Sequence, residues 1–268
     1  MKKRILFFIV AIVLVLISGY LFLSSKYVVP ILMYHSISDN GAEKSKLIVK
    51  PSTFRKQMEF LTKHEYNIVS LEKLSELIRN RKSIPKNTVV ITIDDGYKDN
   101  FINAYPVLKE LKIPAVIFIP VDNVGKTVSG EHFQEAVFMT WEEIKDIASS
   151  GVVEIGSHSL THRDLRKITD AQELIQEVSG SKRILEQNLG MKVNCFSYPV
   201  GSFDKRVRDF VMQAGYLCAV GTNPGKKSSP DDIFVLKRIR VSEKDSNLFF
   251  FWWKTTGWET FFKELRDK

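Results

Sequence analysis

The chain has 268 residues and a formal net charge of +8 at pH 7. About 240 residues follow an apolar amino-terminal stretch, which is enough for one domain with a substantial core. The basic residues are scattered rather than clustered, so the charge argues against nucleic acid as a partner. It suits anionic envelope polymers or lipid headgroups instead. We expect a monomer with one folded domain, residues 27–268.

The amino-terminal segment, residues 1–26, is predicted to be a membrane anchor or a signal segment. Lys2, Lys3 and Arg4 precede residues 5–23, which are apolar and uncharged, and a bilayer-spanning helix needs roughly 20 such residues. A cleavable signal has a shorter apolar region and a small-x-small cleavage site, which is missing here. We therefore favour an uncleaved transmembrane helix. The basic flank keeps the amino terminus in the cytoplasm and the domain outside the cell membrane, or secreted if the segment is cleaved.

The rest of the chain alternates β-type runs with helical stretches. Strands are predicted at 28–34, 67–70, 88–93, 115–119, 152–156, 193–198, 217–221 and 234–241. Helices are predicted at 52–64, 71–79, 101–111, 140–150, 170–189 and 205–214. This alternation predicts a parallel sheet or a (β/α) barrel, in which active sites gather at the carboxyl ends of the strands.

Acidic and imidazole side chains follow two of the predicted strands. Asp94 and Asp95 end one run, and His158 ends another, with His162 four residues later. Neighbouring side chains of an extended chain point to opposite sides, so one carboxylate can bind a metal while the other serves as a base. Two imidazoles one helical turn apart can converge on one ion. We predict that Asp95, His158 and His162 bind one divalent ion, with zinc favoured and iron, cobalt, nickel or manganese also compatible.

Each of these elements alone has an ordinary structural interpretation. Asp-Asp-Gly is a common turn sequence, because Asp bonds its own backbone and Gly supplies positive φ. A histidine pair near a loop is often simply solvated. Together, at two strand ends, they complete a ligand set with one spare carboxylate, which favours a metal-dependent hydrolase.

Nearly all of residues 29–241 resembles the polysaccharide deacetylases of carbohydrate esterase family 4, the NodB-homology group. Residues 92–96, T-I-D-D-G, are similar to the family motif T-F-D-D-G, whose first Asp is the base and whose second is a metal ligand. Residues 158–162, H-S-L-T-H, are similar to the motif H-[ST]-x-x-H, which supplies the other ligands. The resemblance implies a distorted (β/α) barrel with Asp94 as the base.

The third family motif, R-x-P-Y, is only partly present in residues 197–201, S-Y-P-V-G. Ser197 replaces the arginine that orients the catalytic Asp, and Val200 replaces the tyrosine. The resemblance places Tyr198, Pro199 and Val200 at the oxyanion or substrate-binding position. The backbone N–H of Val200 can still serve there, because that role needs no side chain.

The family's late L-x-H motif, which carries the catalytic acid, has no counterpart, since no histidine follows His162. Residues 29–36, V-P-I-L-M-Y-H-S, instead resemble a permuted subgroup, the biofilm poly-N-acetylglucosamine deacetylases, whose acid histidine comes from a strand at the start of the domain. His35 would take that role, the alternative being a solvated histidine. Residues 237–241, K-R-I-R-V, resemble the subgroup's late P-R-I motif, so Arg238 is the candidate to orient the catalytic Asp. Arg240 is its competitor.

The resemblance implies a metal-dependent enzyme that hydrolyses N-acetyl groups of N-acetylglucosamine residues in an extracellular or cell-wall polysaccharide. Poly-N-acetylglucosamine is the favoured polymer and peptidoglycan is next. The degraded third motif leaves a non-catalytic glycan-binding protein open as an alternative. A metal phosphohydrolase is less compatible, because further acidic ligands and phosphate-binding glycine loops are missing from the sequence.

Three further features stay open at this point. The aromatic tail, residues 249–262, could pack in the core, stack on sugars or contact a membrane interface. Cys195 and Cys218 could pair in an oxidising compartment, although cysteines inside apolar runs are more often buried thiols. The loop 121–138 is expected to border the cleft.

Overall fold

The computed structural model describes residues 2–24, 27–41, 45–129, 135–222 and 232–266. The strands are β1 (Ile31–Tyr34), β2 (Ser36–Ile37), β3 (Ile48–Val49), β4 (Asn67–Ile68), β5 (Thr88–Ile93), β6 (Ala115–Ile119), β7 (Thr127–Val128), β8 (Ala136–Val137), β9 (Val153–Ser157), β10 (Cys195–Ser197), β11 (Cys218–Gly221), β12 (Leu236–Lys237) and β13 (Ile239–Arg240). The α-helices are α1 (Lys2–Ser24), α2 (Pro51–Lys63), α3 (Leu71–Arg79), α4 (Tyr105–Leu111), α5 (Trp141–Ser149), α6 (Ala171–Ile175), α7 (Ser181–Leu189), α8 (Lys205–Gln213), α9 (Leu248–Thr255) and α10 (Glu259–Arg266).

The main sheet is parallel and curves into a nearly closed barrel, as predicted. Its strand order is β12-β11-β10-β9-β6-β5-β1-β13. β12 and β13 follow each other in the chain, and they pair with β11 and β1 respectively, which brings the two ends of the sheet together. The single strand expected at 234–241 is divided at Arg238, whose backbone N–H donates to Thr222 O.

Alternate strand residues face the barrel interior and the surrounding helices, as the two-residue period of a strand requires. Val90, Val116, Phe118 and Leu236 belong to the interior cluster. A larger cluster lies between the strands and the helices. Cys195 and Cys218 pair in register on β10 and β11 as buried free thiols, with their Sγ atoms 3.5 Å apart.

Two helical segments depart from regular α-helix. The helix predicted at 170–189 contains a π-helical turn, Gln176–Gly180, between α6 and α7. A second π-turn, Asn100–Ala104, precedes α4. Such turns are rare and are often found at functional sites.

The helix α1 precedes the barrel. Within the residues that the structure describes, no helix is both long enough and apolar enough to cross a membrane. The assignment of residues 1–26 as an anchor or signal segment stays a prediction.

Candidate active site

The acidic and imidazole residues singled out in the sequence meet at one end of the barrel. Asp94 follows β5 and His158 follows β9, and these two strands flank β6. The Asp94 N–H donates to Tyr34 O and the His158 N–H donates to Ile119 O, each at 2.9 Å. These hydrogen bonds fix the backbone of Asp94 and His158 to adjacent strands. The carboxyl ends of the parallel strands therefore bring the two side chains together.

Asp95, His158 and His162 form a candidate metal site. Asp95 Oδ1 lies 3.3 Å from His162 Nε2 and 3.5 Å from His158 Nε2, and the two Nε2 atoms are 3.2 Å apart. Three ligand atoms placed about 2.1 Å from a tetrahedral ion would be separated by about 3.4 Å. The observed separations therefore fit one divalent ion of the zinc type.

Hydrogen bonds around the ligands fix their orientation. His158 Nδ1 donates to Ser197 O at 2.8 Å, which leaves Nε2 to face an ion. Burial lowers the pKa of His158 to about 4, which favours the neutral imidazole that a metal requires. Burial alone would raise the pKa of Asp95, but the hydrogen bond from His162 and nearby imidazole charges hold it below its usual range. The Tyr97 hydroxyl also donates to the Asp95 carboxylate.

Asp94 is held by a buried two-point ion pair. Arg238 Nη1 and Nη2 lie 2.6 and 2.7 Å from the two carboxylate oxygens of Asp94. The same guanidinium donates to Gly221 O, Thr92 Oγ1 and Ser197 Oγ at 3.2, 3.2 and 3.0 Å. Burial would raise the pKa of Asp94, but the charge and hydrogen bonds of Arg238, together with the charges of His158 and His35, outweigh it, so the pKa is lowered and the carboxylate stays ionised.

The structure separates the two candidate arginines. Arg238 contacts Asp94, whereas Arg240 makes no ion pair with Asp94 among the described residues. Arg240 acts on the site through its charge, which helps to lower the pKa of His35.

His35 lies at the same end of the barrel as the carboxylates. Its Nε2 is 3.9 Å from Asp94 Oδ2, and its side chain is 11% exposed. Asn100 Nδ2 donates to His35 O at 2.8 Å and fixes the backbone. Burial lowers the pKa of His35, and the charges of Asp95 and Asp94 oppose that effect. His35 Nδ1 is buried and has no hydrogen-bond partner in the described part of the chain.

Unusual backbone conformations concentrate around this site. Asp95, Ser159, His162 and Val200 have φ angles of 74°, 65°, 63° and 52°. Positive φ is uncommon for residues other than glycine and is a genuine outlier for a β-branched residue such as Val200. Strain of this kind persists where the surrounding structure enforces it, typically at active sites and ligand clamps.

The third-motif residues differ in their placement. The Val200 side chain is 60% exposed. The Tyr198 side chain is buried, its hydroxyl donates to Phe234 O at 2.9 Å, and its ring stacks on Phe203. Pro199 is buried as well. Strand alternation turns Tyr198 towards the helices, so Tyr198 and Pro199 support the turn that carries Val200. Their assignment to the oxyanion or substrate-binding position stays a prediction.

The loop 121–138 packs beside the Asp95 turn. The rings of Tyr97 and Phe138 are 5.2 Å apart, and the Met139 N–H donates to Gly96 O at 3.0 Å. Within this loop β7 and β8 form an antiparallel pair. Residues 130–134, which include His132, lie outside the described residues.

Glu177, which the sequence analysis did not single out, holds the loop between the two histidines. It lies in the π-turn between α6 and α7 and is 1% exposed. Its Oε2 accepts the backbone N–H groups of Leu160 and Thr161 at 3.1 and 3.0 Å. Its Oε1 accepts the Thr161 hydroxyl and Arg163 Nη2. A glutamate inside a helical stretch carries no sequence signal of such a role.

Glu177→Gln is expected to weaken metal binding while leaving the fold intact. The amide keeps the shape of the side chain but replaces one acceptor oxygen with an NH₂ donor. Both carboxylate oxygens of Glu177 accept from N–H or O–H groups of the loop, so the NH₂ group faces another donor whichever oxygen it replaces. Losing an outer partner of a metal ligand typically costs about 10–100-fold in affinity, and competition with a chromogenic chelator measures this. Glu173→Gln, which removes only the exposed Arg163 pair, is the control. Equal affinities in both variants would contradict the role.

Comparison with known proteins identifies this arrangement. Residues 81–219 match the family model described as polysaccharide deacetylase. The chain belongs to the polysaccharide deacetylase family. A candidate polysaccharide deacetylase of Bacillus subtilis (strain 168) is 33% identical over 213 residues, which cover 80% of this chain and 71% of that protein.

Two further relatives of this polysaccharide deacetylase are informative. The crystal structure of a polysaccharide deacetylase from Bacillus cereus is 32% identical, with a TM-score of 0.69, and covers 85% of this chain and 69% of that chain. A poly-β-1,6-N-acetyl-D-glucosamine N-deacetylase of Staphylococcus aureus (strain MSSA476) is 25% identical over 202 residues, covering 73% of this chain and 68% of that protein. The expected family, barrel and enzyme class are confirmed.

Proposed function

We propose that this polysaccharide deacetylase removes N-acetyl groups from N-acetylglucosamine residues of an extracellular polysaccharide, with a divalent metal as cofactor. The geometry of four side chains supports the proposal. Three ligand atoms of Asp95, His158 and His162, spaced for one ion, lie beside a second carboxylate, Asp94, that is ionised and held by Arg238. A site that only binds glycan has no need of a base beside a metal.

The chemistry assigns one role to each group. An ion held by Asp95, His158 and His162 would polarise the acetyl carbonyl and lower the pKa of a bound water to about 7. Asp94 accepts the proton of the attacking water, and Arg238 keeps its carboxylate oriented. The Val200 N–H stabilises the negative charge that develops on the carbonyl oxygen. His35 donates a proton to the amide nitrogen as the C–N bond breaks, since an amine leaves poorly without one.

Poly-N-acetylglucosamine is the favoured polymer, and peptidoglycan is next. The Staphylococcus aureus relative is named for the first of these substrates. The position of His35 after the first strand of the barrel, within 3.9 Å of Asp94, agrees with the permuted subgroup that the sequence resembles. We further propose that residues 1–26 hold the domain outside the cell membrane, or are removed to secrete it.

Acetate release by the purified full chain tests the function. Incubation with poly-N-acetylglucosamine, peptidoglycan strands and chitin oligomers should release acetate from the first of these fastest. A chelator should stop the release, and added zinc should restore it, because the ligand set binds a divalent ion. Binding of the polymer without acetate release, in the presence of metal, would favour the non-catalytic glycan-binding alternative.

His35→Ala is expected to separate amide from ester hydrolysis. The variant should keep its metal, because His35 is outside the ligand set, and should lose amide hydrolysis by about 10²–10⁴-fold, the usual value of a positioned acid. An activated acetyl ester needs little protonation of its leaving group and should be affected much less. Rates on a glucosamine oligomer and on the ester, measured in parallel, make the comparison. Equal losses on both substrates would rule out the acid role.

A further inference from the structure

An exposed group of aromatic side chains lies on the last two helices. Phe249, Phe250 and Trp252 of α9 are 64%, 54% and 42% exposed, and Phe262 of α10 is 41% exposed. We call these four residues the aromatic patch. Large exposed apolar patches on monomers mark interaction sites, whereas single exposed apolar residues need no explanation.

Packing of the domain does not account for these rings. Phe251 is the side chain of α9 that is fully buried, and its ring lies 5.8 Å from that of Phe60 on α2. The Thr255 hydroxyl is 2.7 Å from the Tyr66 hydroxyl and secures the end of the helix. Since α9 is held to the barrel through Phe251 and Thr255, Phe249, Phe250 and Trp252 remain on its outer side.

A chain of ring contacts connects the aromatic tail to the end of α1. The Trp253 and Phe262 rings are 5.5 Å apart, Phe261 and Phe262 are 5.4 Å apart, and Phe22 of α1 lies 6.0 Å from Phe261. On α9, Phe249 lies 5.7 Å from Trp252, the residue before Trp253. Phe262 of the patch is therefore linked to α1 through Phe261.

Tyr27 and Val28, which precede the first strand, contact the same part of the domain. The Val28 N–H donates to Gly257 O at 2.9 Å, between α9 and α10. Gly257 has a φ of +80°, and a Cβ there would lie 2.2 Å from the Tyr27 ring, so Gly is required for this contact. Tyr27 and Val28 thus have a defined position beside the loop that joins α9 to α10.

Beyond Arg4, the exposed side chains of α1 that the structure describes are mostly apolar. Phe7, Val15 and Leu16 are 71%, 70% and 66% exposed. A helix that exposes such large apolar side chains favours an apolar environment. The aromatic patch extends this surface onto the domain.

We propose that the aromatic patch lies at the headgroup–acyl boundary of a lipid bilayer and fixes the orientation of the barrel on the membrane. Aromatic rings are enriched at this boundary, and apolar helix faces bury there. The net charge of +8 favours anionic lipid surfaces. Leu248 and Leu265, which are 37% and 45% exposed, flank the rings, and aliphatic neighbours suit acyl chains better than sugar hydroxyls.

Fluorescence of the full chain, incorporated into phosphatidylcholine–phosphatidylglycerol vesicles, tests the proposal. Brominated acyl chains should quench the tryptophan emission, and the difference from Trp252→Phe isolates the contribution of Trp252. Iodide stays in water. It should therefore quench the Trp252 emission at least about twofold less with vesicles than without them. The double variant F249S/F250S should lose most of the bromine quenching of Trp252.

A matched control uses exposed apolar side chains elsewhere on the domain. Met191 and Met212 are each 44% exposed, so M191S/M212S removes apolar side chains of similar exposure and should leave the quenching unchanged. If iodide reaches Trp252 of the unsubstituted chain equally with and without vesicles, the proposal is overturned, whatever the variants do. Protection by N-acetylglucosamine oligomers alone, or by a dimer that F249S/F250S abolishes, would overturn it as well. Because no readout involves acetate release, the result is independent of the deacetylase activity.

Discussion

His162→Ala is expected to abolish metal retention and acetate release together. Asp95 Oδ1 and the two imidazole Nε2 atoms are 3.2–3.5 Å apart, and removing one of three ligands leaves too few to hold an ion. The loss of metal affinity should exceed the roughly 10–100-fold that outer partners contribute. Elemental analysis after dialysis and acetate release on the same sample make the measurement.

The choice of His162 keeps folding apart from function. Its side chain is 32% exposed, whereas that of His158 is 3% exposed and bonds Ser197 O. His158→Ala would therefore also leave a cavity and an unpaired carbonyl oxygen, which destabilise the fold. His64→Ala, an exposed histidine at the end of α2, serves as the control and should keep both metal and activity. Activity of the metal-free His162 variant would refute the metal role.

The strand ends were the part of the site that the sequence could predict best. Asp94 follows six buried residues of β5, and His158 follows β9, so apolar runs with polar ends marked both positions. Parallel strands then place their carboxyl ends together irrespective of their separation in the chain. Local sequence is sufficient for such a prediction.

Arg238 could not be distinguished from Arg240 in the sequence, because residues two apart on a strand face the same side. The strand pairing of the folded protein distinguishes the two arginines. Strand pairing ends with β12 and resumes with β13, and at this break Arg238 reaches across the barrel to Asp94. Ser197, which stands where the family has its arginine, accepts a hydrogen bond from Arg238 Nη2. A small residue there leaves room for an arginine from another strand.

Glu177 and the aromatic patch were beyond sequence reasoning for different reasons. Glu177 acts on a loop that precedes it by 16 residues, through contacts that depend on a π-turn. In the aromatic tail, helical spacing identifies which residues are apolar, but it does not show how many of their side chains are buried against the domain. The buried Phe251 and the exposed Phe250 are neighbours of the same residue type.

Asp94→Asn is expected to keep metal binding and to lower the rate of acetate release by about 10²–10⁴-fold, the usual value of a positioned general base. Asn has nearly the same shape as Asp, but its neutral amide accepts no proton from water at neutral pH. Asp95→Asn is the matched variant on the neighbouring residue. It should lose metal, because the Asp95 carboxylate is the anionic ligand.

The same substitution should change how stability depends on pH. The pKa of Asp94 is lowered in the folded protein, so its ion pair with Arg238 contributes stability above the unfolded pKa. That contribution is lost as the pH falls through the folded pKa. Asp94→Asn leaves Arg238 buried without its partner, which costs about 3–5 kcal/mol at neutral pH. The variant should therefore unfold at a lower temperature at pH 7, and the difference from the unsubstituted protein should shrink in acid.

Together the two variants distinguish the base from the ligand. Thermal unfolding at several pH values shows whether Asp94→Asn is folded at the temperature of the assay. Metal content and acetate release are then measured on that folded material. If Asp94→Asn loses its metal while Asp95→Asn keeps it, the two carboxylates have exchanged roles. In that case the carboxylate held by Arg238 would be the metal ligand, and Asp95 would be the base.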